Sequence, residues 1–156
     1  MTDQYDPTQA SVAGLRVAEQ FVLWALWTRL EGTAKRAHLE KGFRLAGDEA
    51  SGAASLAAFE SWFEVLAGHC RRDLHLHRAR CPCVSGDECA MLDLAASAQA
   101  GDEIRLYRGA AVLVHPGAIA LLQGSSRALA AALCRLGLHL SHRPAWTGRG
   151  IPVRLH

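Results

Sequence analysis

Along most of this chain, apolar residues recur every three or four positions, the period of an amphipathic helix. The first such stretch begins near Asp6-Pro7-Thr8, where proline suits the first helical position, and stops at Gly32. Val12, Leu15, Val22 and Leu26 form one stripe, but Phe21 to Trp27 is apolar on nearly every side. A helix of that kind is central to a core or covered by a partner. Trp24 and Trp27 are expected in the core, with a dimer interface as their other use. A second helix is predicted from Thr33 to about Lys41, then a loop over G-F-R-L-A-G. A third, from about Ser51 to Ala67, carries Leu56, Phe59, Phe63 and Leu66 at helical spacing, and Gly68 is placed as its C-cap.

The period then changes. Asp73-Leu-His-Leu-His77 alternates, which predicts a short extended segment with Leu74 and Leu76 inward and His75 and His77 on the opposite face. Ser85-Gly-Asp-Glu88 reads as a capping box that opens a fourth helix ending near Gly101. Ile104, Leu106, Tyr107 and the apolar run at 111–114 fit a helix or a strand. Pro116 opens a short helix, Gly124-Ser-Ser126 is expected to break it, and a last helix to Gly137 buries Leu129, Leu133 and Leu136, with Cys134 as a core filler. The fold class is therefore mainly α: a single-domain helical bundle of about six helices, with at most a short strand pair near 73–77 and 104–114. The domain spans 1–156, with residues 1–7 as an N-terminal arm and 139–156 as a C-terminal strap.

Composition adds limits. A chain of 156 residues, half of them apolar, buries a genuine core without disulfide or metal staples. A net charge of +2 gives no general case for nucleic acid or an anionic membrane. The N-terminus lacks the basic and apolar regions of a secretory signal. The run Phe21 to Trp27 falls well below the roughly 18–20 residues that cross a bilayer. The expectation is a cytoplasmic protein whose partner is another protein or a second copy of itself. Reduced thiols in that compartment turn attention from disulfides to metal, redox sensing or burial.

That matters because four of the five cysteines and three of the eight histidines fall between His69 and Cys89. Cys81-Pro-Cys83 stands just before a helix start, where free amides and a partial positive charge favour thiolate, the metal-binding form. A zinc site would use Cys81, Cys83 and Cys89, completed by Cys70, His77 or His75. An iron–sulfur cluster would use Cys70, Cys81, Cys83 and Cys89. Paired C-x₂-C motifs are missing, so plain burial of Cys70 and Cys89 is the competing reading. A third alternative makes Cys81 a nucleophile with His77 or His75 as base, although no orienting residue or oxyanion hole can be named.

The neighbouring arginines Arg71, Arg72, Arg78 and Arg80 form a basic patch, read as a solvated face because no nucleic-acid-binding pattern accompanies it. Asp87 and Glu88 are accounted for by helix capping and the helix dipole. G-x-S-x-G, H-E-x-x-H, phosphate-loop and dinucleotide fingerprints are absent from the sequence. The leading expectation is thus a non-enzymatic, zinc-binding adaptor or regulatory protein. Its alternatives are an iron–sulfur redox protein and a metal-free protein-interaction domain.

Phe21 to Leu26, followed by Cys81, Pro82, Ser85, Asp87 and Glu88, resembles an uncharacterised family of small proteobacterial helical proteins, a domain of unknown function. Its members share an aromatic and aliphatic first helix, an arginine-bearing strand and C-P-x-x-[ST]-x-D-E. The resemblance would span about residues 15–137, and it implies a helical fold and no particular chemistry. The family's extra cysteines just before the Cys81 position are replaced here by Ala79 and Arg80, while Cys83 and Cys89 fall outside its pattern.

Overall fold

The computed structural model describes residues 14–77 and 83–141. Six α-helices occur among them: α1 (Val17–Leu30), α2 (Arg36–Ala46), α3 (Glu49–His69), α4 (Gly86–Ala100), α5 (Glu103–Leu113) and α6 (Ile119–Arg135). Short 3₁₀ turns at Thr33–Lys35 and Pro116–Ala118 lead into α2 and α6. The expected start of the first helix at residues 6–8, the N-terminal arm and the strap beyond Ser141 lie outside the described residues.

α3 and α6 form the most extensive helix pair, and α4 packs against both α5 and α6. Leu23, Leu26, Leu39, Phe43, Phe59, Trp62, Leu66, Met91, Leu94, Leu106 and Leu122 meet in one core. Trp27 belongs to that core, and Trp24 packs at its margin beside Phe21 and His38. The buried face of α3 runs Gly52, Ser55, Phe59, Trp62 and Leu66, with Trp62 donating its indole N–H to Ser126 Oγ at 3.1 Å.

Three glycines read as punctuation prove to be helix interior. Gly42 continues α2 because Trp24 occupies the space a side chain would need: a Cβ there would sit 2.1 Å from the indole. The expected loop at 42–47 is therefore helical to Ala46, bringing Phe43 into the core one turn after Leu39. Gly68 does not end α3, which continues to His69 with Cys70 as its C-cap. Gly124-Ser-Ser126 does not break α6, since Leu122, Ser126 and Leu129 continue one buried stripe through it.

Between the regions expected to form a strand pair, the described residues show an antiparallel bridge of Cys70 with Val114 and no longer ladder. Residues 103–113 are helical, capped by Asp102, whose carboxylate accepts from Arg105 N at 3.1 Å. The stretch Pro116–Arg135 is long and apolar enough, by length and composition, to cross a membrane, but in this fold it is the helix that α3, α4 and α5 pack against. Cys134 is exposed on its outer side, not a core filler, because Leu129, Ala130, Ala132 and Leu133 take the inward positions.

Candidate functional site

The histidine-bearing segment leaves α3 at Cys70 and is first tied to the end of α5. Arg71 N donates to Leu113 O and His115 N donates to His69 O, both at 3.0 Å. From Asp73 to His77 the chain is extended with no neighbouring strand among the described residues. Its partner is instead the N-terminus of α4. In an extended chain, residues two apart present their amides along the same edge. His75 N donates to Asp87 Oδ2 and His77 N to Glu88 Oε1, each at 2.7 Å. Two consecutive carboxylates in one helical turn thus do the work of a missing strand.

Ser85 joins both sides of this contact. Its hydroxyl donates to His75 O at 2.5 Å and accepts from Glu88 N at 3.1 Å, which uses the one hydroxyl proton and one lone pair. The capping box expected from sequence is present, with Glu88 Oε2 accepting from Ser85 N at 2.8 Å. Leu74 and Leu76 pack against the core as the alternation predicted.

Arg72 grips Asp87 with both terminal nitrogens, at 2.9 and 2.6 Å, and also donates to Asp73 O. Burial pushes the Asp87 carboxyl up, but the Arg72 fork and the His75 amide outweigh it and hold the group below its ordinary range. Glu88 is fully buried and accepts from four N–H groups: Trp27 Nε1 at 2.9 Å, Ser85 N, His77 N and His77 Nδ1. Burial again pushes its carboxyl up, and the bonds from Trp27, Ser85 and His77 bring it below the usual value. Both carboxylates are therefore ionised at neutral pH, each compensated by donors aimed at it.

An ionised Glu88 can only accept, so His77 carries its proton on Nδ1, 3.1 Å from Oε2. In the neutral imidazole the lone pair is then on Nε2, which has no hydrogen-bond partner among the described residues. His75, exposed, stacks edge-on against His77 with ring centroids 5.4 Å apart. Glu88 is thus the orienting acid that the sequence could not name for His77.

The structure gathers the expected ligands only in part. His75 and His77 are adjacent; Cys83 is half-buried at the far side of residues 78–82; Cys89 is buried in the second turn of α4. Cys70 is at the C-cap of α3, its Sγ 3.9 Å from Ala67 O. Cys81 lies outside the described residues. Among the described residues, no group of three or more histidine, cysteine or carboxylate side chains is placed to hold a metal ion. Sequence reasoning passed over Arg72, Asp87 and Trp27 as parts of this site; only Asp87, beside the capping glutamate, carried a local signal. No protein-family model matches the chain, and no curated protein or solved structure matches it either.

Proposed function

We propose that this is a zinc-binding, non-enzymatic adaptor or regulatory protein of the cytoplasm, with its metal site built on His77 and the cysteines of the following segment. The observation that carries the reading is the Glu88–His77 contact. A metal-ligating histidine characteristically gives its other ring N–H to a carboxylate, which fixes the tautomer and makes the free nitrogen a better ligand. His77 has that arrangement in a half-buried position, with Glu88 itself held by three further N–H groups. His77 and Cys83 flank the segment that contains Cys81, so one imidazole and two thiolates come from seven consecutive residues. Cys89, near the α4 N-terminus, is the candidate fourth ligand, and a mixed sulfur and nitrogen set of this kind suits tetrahedral zinc.

Elemental analysis of protein purified without added metal tests this directly. About one equivalent of zinc is expected, and His77→Ala or Cys81→Ser should remove it while helical content persists. Less than about a tenth of an equivalent overturns the reading. Iron with labile sulfide, in brown protein, would instead assign an iron–sulfur cluster to the four cysteines. A metal-free interaction domain is the second reading, favoured by the exposed Ile104, Tyr107 and Val112 along α5.

A further inference from the structure

Where α1 turns into α2, a pocket with about 50 Å³ of free space is closed on its third side by α3. Its lining carries three cations, Arg29, Lys35 and Arg36, and one carboxylate, Glu60 of α3. The rest is two threonines, a glycine and Leu39. A single water needs roughly 10–15 Å³, so the space holds one small ion of a few heavy atoms and little more.

Two of these side chains are held in place yet short of partners. Arg29 donates from Nε to Glu60 Oε2 at 2.8 Å, and its guanidinium lies over the Phe63 ring, 4.8 Å from the centroid. Its terminal nitrogens make no hydrogen bond among the described residues. Glu60 Oε1 is buried and has no hydrogen-bond partner there either; Arg36 Nη1 is 4.0 Å away. Buried polar groups are nearly always paired, so spare donors beside a spare acceptor fit a molecule that carries the complement of each. Lys35 and Arg36 also meet Glu31 at 4.0 Å and Glu40 at 3.3 Å, outside the lining, in exposed pairs of the weak class.

We propose that this pocket binds inorganic phosphate in its hydrogenphosphate form. Arg29 gives its terminal N–H groups to the anion's oxygens, and Lys35 and Arg36 approach it from the rim. The ligand's P–OH donates to Glu60 Oε1 once the exposed Arg36 side chain turns from that oxygen onto the anion. Three cations then balance Glu60 and a dianion. Glu60 makes the site selective, because a carboxylate paired with arginine accepts and does not donate, so the ligand must keep a proton. Hydrogenphosphate keeps one at neutral pH. Sulfate does not, and a phosphomonoester has largely lost its own, with a second pKa of about 6. An analogue without the proton sets oxygen against oxygen, and buried polar groups left unpaired reject a ligand strongly. The site makes no use of His77 or the cysteines, so it stands whether or not the protein binds zinc.

Isothermal titration of the full chain with phosphate, sulfate and phenyl phosphate tests the proposal. At about pH 7.5 and 0.15 M sodium chloride, attraction to dispersed surface charge is largely screened. One equivalent of phosphate should bind, at least about tenfold tighter than either other probe. Lys35→Gln and Arg36→Gln should each weaken it about tenfold, whereas Arg44→Gln, exposed on α2 outside the lining, should not change it. Glu60→Gln keeps the shape but offers an N–H, so sulfate should then bind within about twofold of phosphate. Lys35 and Arg36 are exposed, so unchanged circular dichroism will show that their variants are folded. No saturable phosphate binding up to about 10 mM overturns the proposal. Equal affinity for the three probes also overturns it, as does a loss in Arg44→Gln matching that in Arg36→Gln.

Discussion

Trp27 and Glu88, separated by 61 positions, are joined by a buried hydrogen bond of 2.9 Å from indole to carboxylate. The same carboxylate closes the α4 cap and holds His77 by its amide and its ring. One side chain therefore connects the core helix α1, the start of α4 and the histidine segment.

Removing that carboxylate should be costly. Glu88→Ala leaves buried N–H groups without acceptors and should lower stability by about 3–5 kcal/mol. Glu88→Gln keeps the shape but loses the charge-assisted bonds, for a loss of about 1–3 kcal/mol. Trp27→Phe removes a single donor and should cost about 1 kcal/mol. Urea denaturation orders the three, and a Glu88→Ala cost below that of Trp27→Phe would contradict the central role of the carboxylate.

The same bonds give a pH dependence of definite sign. In the folded protein Glu88 titrates below its ordinary 4.5 and Asp87 below 3.8, because the donors around them outweigh burial. As pH falls, the unfolded chain takes up these protons first. The stability they contribute is thus complete above the unfolded values and is lost as pH falls through the folded ones. The contribution of these two carboxylates should therefore be lost progressively as pH falls below about 5. In the double variant Asp87→Asn, Glu88→Gln this decline should become shallower; an unaltered acid limb would show that other carboxylates control it.

Arg72 and Asp87 make a fork, and lysine cannot reproduce one. Arg72→Lys should cost about 1 kcal/mol, since the arginine is partly exposed and solvent screens the pair. The clearer signature is local. Hydrogen exchange at the His75 and His77 amides should accelerate in Arg72→Ala, while amides in the middle of α6 keep their protection. Uniform acceleration would mean that the segment opens only with the whole fold.

The helical pattern was legible because most of it is local. The α4 start was legible residue by residue, since Ser85 and Glu88 satisfy each other within one turn. Leu74 and Leu76 were legible from alternation, but alternation specifies an extended backbone, not what pairs with it. Here a helix N-terminus takes the place of a strand, and nothing near His75 in sequence announces Asp87. The Trp27–Glu88 contact is a product of folding between distant segments. Cys134 misled because its neighbours on α6 are small and apolar on several faces, so composition did not mark the buried one. Its exposure predicts that Cys134→Ser changes stability by less than about 0.5 kcal/mol, whereas Cys89→Ser, in the core, should cost about 1–2 kcal/mol.

Glycine gives the sharpest contrast between pattern and packing, and the last prediction rests on it. Gly42, Gly68 and Gly124 all look like helix breakers in the sequence, yet each is inside a helix. At Gly68 and Gly124 an added Cβ meets nothing within 4 Å, so alanine should restrict only the unfolded chain. Gly68→Ala and Gly124→Ala should each stabilise by about 0.5–1 kcal/mol. At Gly42 the Cβ would fall 2.1 Å from Trp24 Cη2, and a buried-edge indole cannot yield that far without disturbing Phe21 and His38 beside it. Gly42→Ala should therefore destabilise by about 1–3 kcal/mol through overpacking, despite the better helix propensity of alanine. Thermal denaturation of the three variants reads the signs directly. If Gly42→Ala stabilised as the others do, the α1–α2 contact through Trp24 would be looser than its geometry requires; if Gly68→Ala destabilised, α3 would end before His69.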